Sequence, residues 1–198
     1  MIFESIFYSI KDKQILKGCN IELHHGQVHG FIGKNGSGKS TLIKVGAGLI
    51  TPDSGYIQIY DEKYFTKKNK KRFNYISYLP QKSFLNKNLK IQTYLNHFDE
   101  KLFQDITIRK YSEKRIKYLS TGIRRYYEVM MLLSLDRDYY LLDEPFSGID
   151  PILIEKICGK IISKKLDGKS FLIVDHYHRY IQDIADSYLK IHEGSILN

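Results

Sequence analysis

The 198-residue sequence has no tryptophan, only two cysteines and only four prolines. Cys19 and Cys158 lie far apart and match no metal-ligand spacing, so we expect reduced core thiols without a disulfide framework, as suits a cytosolic protein. No window reaches about 18 uninterrupted apolar residues, so no segment is expected to span a membrane. The N-terminus carries acidic Glu4 and no long apolar run, which argues against a signal peptide.

Acidic residues are outnumbered by basic ones, 22 to 31, which gives a formal net charge of +9. The most basic stretch, residues 63–72, contains no acidic residue at all. We interpret it as a solvated loop; attraction to anionic lipid headgroups or, less so, to nucleic acid are the alternatives that composition leaves open. Its basic residues are Lys63, Lys67, Lys68, Lys70, Lys71 and Arg72.

Short apolar runs alternate with segments of helical periodicity, and this order predicts an α/β fold with a mostly parallel sheet covered on both faces. The weak alternation of the first residues predicts edge strands. From residue 82 to 118 the sequence loses strand character, so we expect an inserted helical subdomain there. Strands are predicted at 2–8, 18–23, 28–32, 56–60, 75–79, 139–142, 171–174 and 188–192, and helices at 39–49, 122–135, 151–166 and 180–186.

Residues 33–41 read GKNGSGKST and satisfy the phosphate-loop pattern G-x-x-x-x-G-K-[ST]. The glycines let such a loop fold tightly and present backbone N–H groups to phosphate oxygens, and the dipole of the following helix favours the same anion. Lys39 is expected to reach the β- and γ-phosphates, and the Ser40 hydroxyl to bind Mg²⁺. The predicted phosphate-binding residues are Gly33, Lys34, Asn35, Gly36, Ser37, Gly38, Lys39, Ser40 and Thr41.

A second motif follows the apolar strand predicted at 139–142, which ends in Asp143 and Glu144. An aspartate in this place is the Walker B arrangement, whose carboxylate is oriented through water towards Mg²⁺. The carboxylate of Glu144 can orient and partly deprotonate the water that attacks the γ-phosphate. The two motifs together predict a site for a nucleoside triphosphate and Mg²⁺, whereas the loop alone does not distinguish a kinase, a GTPase and an ATPase motor.

The order of the motifs resembles one family, the ATP-binding cassette (ABC) ATPases, over nearly the whole chain. Gln81, at the end of SYLPQ, is similar to the family's Q-loop, and LSTGI at 119–123 occupies the place of its LSGGQ signature. DEP at 143–145 matches Walker B with the catalytic glutamate, SGID at 147–150 resembles the D-loop, and VDH at 174–176 resembles the switch histidine.

This resemblance implies a P-loop NTPase fold in a single domain, residues 1–198. It divides the domain into a RecA-like core at about 1–81 and 124–198, with N-terminal antiparallel β strands, and a small helical subdomain at about 82–123. ATP and Mg²⁺ are the implied ligands.

The resemblance also implies roles for individual residues. Gln81 would contact Mg²⁺ or the attacking water, Glu144 would be the general base, and His176 would hydrogen-bond the γ-phosphate. Relatives stack an aromatic side chain on adenine, and alignment places Ile10 near that position with Tyr8 close by. We favour Tyr8 as the base platform; the alternative is a strand residue with an exposed hydroxyl.

Family members work as head-to-tail dimers, so the resemblance implies a second cassette, either a second copy of this chain or a different one, with a homodimer favoured. Ser120 and Gly122 would complete the γ-phosphate site across the interface, where Asp150 would help to place the opposite subunit's groups. Thr121 and Ile123 depart from the signature, and we expect hydrolysis to persist with a weakened or tuned contact across the dimer.

Three functions are compatible with these motifs. We favour a transporter ATPase that docks on separate integral membrane subunits, peripheral on the cytoplasmic face of the membrane. A soluble ABC ATPase acting on nucleic acid or ribosomes is the alternative; it is disfavoured because neither a second cassette nor a heptad run at 82–118 is present. A non-hydrolysing nucleotide switch is disfavoured because Glu144 and His176 are both in place.

Overall fold

The computed structural model describes residues 1–66, 70–98 and 104–197. Within these ranges the chain forms ten strands in two sheets and six α-helices, in agreement with the predicted α/β class. Lys67 and Lys68 of the basic stretch lie outside the described residues. None of the helices in the described part of the chain is long and apolar enough to cross a bilayer.

The smaller sheet is antiparallel and has the strand order β2–β1–β4–β5. Its strands are β1 (Ile2–Ile10), β2 (Lys13–Glu22), β4 (Ser54–Ile59) and β5 (Glu62–Tyr64). β1 and β2 form a hairpin that turns at Lys11, whose φ is 53°. β2 therefore begins earlier than the predicted start at residue 18. Gly18 lies inside the strand with a left-handed φ of 75°, and its Cα is covered by the ring of Phe7.

The larger sheet has the order β10–β9–β3–β8–β7–β6. Its strands are β3 (Val28–Ile32), β6 (Ile76–Leu79), β7 (Tyr139–Asp143), β8 (Ser170–Val174), β9 (Ser187–His192) and β10 (Ser195–Leu197). β9, β3, β8, β7 and β6 run parallel, and β10 pairs antiparallel with β9. The carboxyl ends of β3, β6, β7 and β8 therefore meet at one edge of the sheet, the usual ligand edge of such sheets.

The helices are α1 (Lys39–Gly46), α2 (Ile91–Leu95), α3 (Ile106–Tyr111), α4 (Thr121–Ser134), α5 (Pro151–Leu166) and α6 (His178–Ile184). α1 stops before the predicted end at residue 49 because Gly48 adopts a left-handed φ of 74°. α5 begins with Pro151 at its first position, as predicted, and its N-terminus is capped by Asp150.

Between β6 and α4, the described residues contain the two short helices α2 and α3, while residues 99–103 lie outside the description. Asp105 caps α3 by accepting hydrogen bonds from the backbone N–H groups of Thr107 and Ile108. The same carboxylate accepts a hydrogen bond from the Tyr126 hydroxyl at 2.7 Å and pairs with Lys156 at 3.4 Å. This segment is therefore tied to both α4 and α5.

Two apolar clusters fill the two faces of the larger sheet. Successive residues of β7 alternate between them, since side chains of a strand point to opposite faces. Tyr140 and Leu142 belong to the cluster with α4, α5 and α6. Tyr139 and Leu141 belong to the cluster with α1 and the antiparallel sheet. All five residues of β7 are buried, which holds its carboxyl end in a fixed place at the ligand edge.

Candidate nucleotide-binding site

The phosphate loop connects β3 to α1, which is the strand–loop–helix context that the motif requires. Gly36 and Gly38 have left-handed φ values of 79° and 109°, which favour glycine at both positions. The Lys39 ammonium donates hydrogen bonds to the carbonyl oxygens of Gly33 at 2.6 Å and Lys34 at 3.0 Å. Burial lowers the pKa of Lys39, while the nearby carboxylates of Asp143 and Glu144 oppose that shift. The loop therefore places a cation directly over its own backbone.

Asp143 ends β7 beside the start of α1. The Ser40 hydroxyl donates to Asp143 Oδ1 at 3.3 Å. Asp143 is 1% exposed, and its Oδ2 makes no hydrogen bond with any of the described residues. Burial raises the pKa of Asp143, an effect that the Ser40 hydrogen bond opposes. A buried carboxylate oxygen without a partner, next to a hydroxyl, is a donor set that suits a hard divalent cation such as Mg²⁺.

Gln81, Glu144 and His176 converge beyond the ends of β6, β7 and β8. The Gln81 amide donates to Glu144 Oε1 at 2.7 Å, and His176 Nε2 lies 3.3 Å from the same oxygen. Glu144 has a left-handed backbone φ of 56°, which residues other than glycine rarely adopt. Its backbone N–H donates to the carbonyl oxygen of Val174 at 2.7 Å. The side chains predicted to contact Mg²⁺ or the attacking water, to serve as general base and to bind the γ-phosphate therefore form one group.

A cleft of about 480 Å³ joins this group to the phosphate loop. Its lining residues are Ile10, Lys13, Ile15, Asn35, Gly36, Gly38, Lys39, Ser40, Thr41, Gln81, Glu144, Val174 and His176. The far end is formed by Ile10, Lys13 and Ile15 of the β1–β2 hairpin. Tyr8 does not line this cleft; it packs against the apolar cluster with α1. The structure thus brings Ile10, and not Tyr8, to the hairpin end of this cleft.

Ser120, Gly122 and Asp150 lie apart from this cleft. Ser120 caps α4 by accepting a hydrogen bond from the backbone N–H of Ile123 at 3.2 Å. Gly122 is buried against the loop between β7 and α5, where an added Cβ would lie 2.1 Å from the carbonyl oxygen of Gly148. Their place outside the cleft agrees with the expectation that they serve the site of another subunit, which stays a prediction.

Two residues of the site, Arg125 and Glu128, were not predicted from the sequence. Arg125 and Glu128 of α4 are 5% and 1% exposed and form an ion pair at 3.2 Å. Arg125 also contacts the backbone of Asp143 and Glu144. The available signal was a pair of opposite charges at i and i+3 on the apolar side of a predicted helix, where charged residues are rarely buried unless paired.

A protein-family model described as ABC transporter matches residues 16–147 of the chain. The chain belongs to the ABC transporter family. The cassette is 27% identical over 206 residues to the manganese transport system ATP-binding protein MntB of Bacillus subtilis (strain 168), a match that covers 96% of this chain and 82% of MntB.

Solved structures agree with the fold. The ATP-binding subunit of an ABC transporter has a TM-score of 0.89 with 21% identity, covering 98% of this chain and 87% of that one. A dimeric, post-hydrolysis ATP-binding cassette bound to ADP and Pi has a TM-score of 0.84 with 18% identity, covering 100% and 96%.

These comparisons confirm the predicted family and fold. They confirm the function as the ATP-binding subunit of an ABC transporter over the soluble nucleic-acid alternative. Membership also implies ATP hydrolysis, and cassettes of the family dimerise and serve transporters that have membrane subunits.

Proposed function

We propose that the cassette is a Mg²⁺-dependent ATPase whose turnover takes place between the phosphate loop and Glu144. The observation that carries this proposal is the convergence of Gln81 and His176 on one oxygen of Glu144, within a cleft that also contains Lys39. A carboxylate held in this way has a second oxygen that can accept a proton from a water placed before the γ-phosphate.

The loop residues bind and orient the triphosphate. Backbone N–H groups of the loop and the Lys39 ammonium neutralise phosphate charge as it shifts during transfer. Ser40 and the orphaned oxygen of Asp143 would hold Mg²⁺, and the Gln81 amide is proposed as a further ligand. When bound, Mg²⁺ neutralises charge on the β- and γ-phosphate oxygens.

Glu144 is proposed as the general base. A water oxygen attacks the γ-phosphorus while one water proton moves to the Glu144 carboxylate, the β–γ P–O bond breaks, and ADP and phosphate are released. Gln81 orients the carboxylate from one side. The half-exposed His176 lies beside the same carboxylate, where it can donate a hydrogen bond to the γ-phosphate.

Adenine would rest against the aliphatic side chains of Ile10 and Ile15, with the Lys13 ammonium beside it. The triphosphate fixes the orientation of the nucleotide in the cleft, because the γ-phosphate would lie at Glu144 and the hairpin forms the opposite end. Ile10 is 52% exposed, and a flat base would cover it. The platform proposed here is therefore aliphatic.

The second half of the site is proposed to come from a second copy of this chain. Ser120 and the N-terminus of α4 would contact the γ-phosphate held by the partner, and Asp150 would support the interface. Closure of the dimer on ATP would move separate membrane subunits, with the cassette peripheral on the cytoplasmic face.

The test is ATP turnover by the purified protein with and without Mg²⁺. Lys39→Ala should abolish turnover, and Lys110→Ala, at an exposed lysine of α3, should not. Glu144→Gln should reduce turnover to a low but measurable residual rate and accumulate an ATP-bound dimer in size-exclusion chromatography, whereas Glu155→Gln on the exposed face of α5 should behave as wild type. Wild-type turnover by Glu144→Gln would refute the assignment of Glu144 as general base. A Glu144→Gln protein that stays strictly monomeric with ATP would refute the proposed dimer.

A further inference from the structure

Arg125 connects α4 to the backbone of the catalytic segment. Its guanidinium donates to the carbonyl oxygen of Glu144 through Nε at 3.1 Å and Nη2 at 3.0 Å, and Nη2 also donates to the carbonyl oxygen of Asp143. Nη1 donates to the carbonyl oxygen of Pro80 at 2.8 Å. One planar cation thus holds both residues of the Walker B motif and the residue that precedes Gln81.

Glu128 extends this arrangement to the segment after Gln81. Its carboxylate pairs with Arg125 Nη1 at 3.2 Å and accepts hydrogen bonds from the Ser83 hydroxyl and, at 3.2 Å, from the Phe84 backbone N–H. A buried ion pair is stabilising only where further hydrogen bonds satisfy its remaining polar atoms, and here they do. The backbones that carry Gln81 and Glu144 are therefore held from behind by the same pair.

The backbone of Glu144 needs such support. Its left-handed φ of 56° is a conformation that persists in a glutamate only when the surroundings determine it. Three hydrogen bonds hold the Glu144 backbone in this conformation. Arg125 donates two of them to the Glu144 carbonyl oxygen, and the Glu144 N–H donates the third to Val174. This backbone turn directs the carboxylate towards Gln81 and His176.

We propose that Arg125 is a positioning residue that aligns the Glu144 carboxylate according to the position of α4. The inference rests on the proposed role of Glu144 as general base. Since Ser120 caps the N-terminus of α4, a γ-phosphate that contacts the start of this helix in a dimer would also set the backbone of Glu144 in the subunit that contains the helix. Each subunit's base is then aligned by the nucleotide that its partner holds.

The direct test is Arg125→Lys, which keeps the charge but replaces five donors in a fixed fork by three on a single nitrogen, too few for the three carbonyl groups and the Glu128 carboxylate. We expect kcat to fall about tenfold or more, because small misplacement of a catalytic group is costly. KM for ATP and the affinity for a fluorescent ATP analogue should stay within about twofold, since the phosphate loop is untouched. Arg109→Lys, at an exposed arginine of α3, is the matched control and should change neither.

A double-mutant cycle separates positioning from general destabilisation. In a Glu144→Gln background, Arg125→Lys should reduce the residual turnover by no more than about twofold, because the group that it positions is gone. A full, multiplicative loss in that background, or wild-type kcat in Arg125→Lys, would overturn the proposal. Turnover by Glu144→Gln alone at the wild-type rate would instead refute the base assignment.

Should Arg125→Lys lack a cooperative thermal transition, Glu128→Gln replaces it in the same cycle. The glutamine keeps the shape of Glu128 and its ability to accept from Phe84, but it removes the charge that fixes Arg125. We expect the same loss of kcat, absent in the Glu144→Gln background. A folded Glu128→Gln protein with wild-type kcat would count against the proposal.

Discussion

Gly122 lies so close to Gly148 that a Cβ added to Gly122 would be 2.1 Å from the Gly148 carbonyl oxygen and 3.2 Å from the Cα of Ile149. The contact joins the first turn of α4 to the loop that precedes Asp150. Because it is a backbone contact, neither side can retreat by changing a rotamer. Two predicted interface elements of one chain are therefore packed backbone against backbone.

This contact predicts the effect of Gly122→Ala. The added methyl must push α4 away from the Gly148 loop, so we expect a loss of about 1–3 kcal/mol in the free energy of unfolding and a strong loss of ATP turnover. Gly159→Ala in α5 is the control, because a Cβ there meets nothing within 4 Å. It should raise stability by about 0.5–1 kcal/mol and leave turnover unchanged. Chemical denaturation of both variants is the measurement, and equal stabilities would contradict the assignment.

The buried carboxylate of Asp143 predicts a gain in stability on neutralisation. Burial raises its pKa above the ordinary value of 3.8, so the folded state holds this proton more tightly than the unfolded state does. The stabilisation that comes from proton binding to Asp143 is complete below pH 3.8 and is lost as the pH rises through the raised pKa of the folded state. Asp143→Asn should therefore raise the Tm at pH 7 by about 2–5 °C while abolishing turnover.

The gain in Tm from Asp143→Asn should shrink towards pH 4, where the wild-type carboxyl takes up its proton. Asp136→Asn is the control of opposite sign, because the Lys169 ammonium lowers the pKa of the exposed Asp136 carboxyl. That variant should gain no stability at pH 7. Thermal unfolding at both pH values decides the matter, and a lower Tm for Asp143→Asn at pH 7 would refute the prediction.

Ile10→Tyr should strengthen nucleotide binding. An aromatic ring at the hairpin end of the cleft would stack on the base, a contact worth about 1–3 kcal/mol per base in other proteins. We expect the Kd for ATP to fall about threefold or more in calorimetric titration. Tyr8→Ile is the control and should leave the Kd within about twofold, since Tyr8 packs against the core. If Tyr8→Ile weakens binding and Ile10→Tyr does not change it, Tyr8 is the platform after all.

His176→Ala should slow turnover with little effect on binding. The side chain is half-exposed, and its ion-pair partner among the described residues is Glu144, so its removal should leave the Tm unchanged. Loss of one donor to developing charge typically costs about 10²-fold in kcat. His178→Ala, at an exposed position in the first turn of α6, is the matched control. Steady-state kinetics with wild-type kcat for His176→Ala would exclude the proposed role.

The phosphate loop and the acids at the end of β7 could be predicted because their chemistry is local. A strand, a glycine loop and a helix follow one another in the sequence, and an apolar run ends in two carboxylates. Parallel strands bring their carboxyl ends to one edge, so the proximity of Gln81, Glu144 and His176 also followed from motif order. These are the parts of the site for which periodicity and short spacing suffice.

Arg125 could not be assigned in the same way, and the sequence alone could not decide between Ile10 and Tyr8. The role of Arg125 depends on how α4 packs over the backbone of β7, and a helical arginine is ordinarily exposed. The base-facing residue of β1 depends on where the hairpin turns, and β1 is irregular near Ser5, whose φ is 48°. β5 and β10 were missed because each has only three residues and no apolar run.

The alternation of β7 between two apolar clusters also determines which genetic changes this strand tolerates. A substitution at Leu141 or Leu142 disturbs one face, whereas inserting or deleting a single residue would exchange the two faces along the rest of the strand. The same shift would turn Asp143 away from Ser40. We therefore expect a one-residue insertion or deletion in β7 to be more damaging than a substitution of one of its side chains.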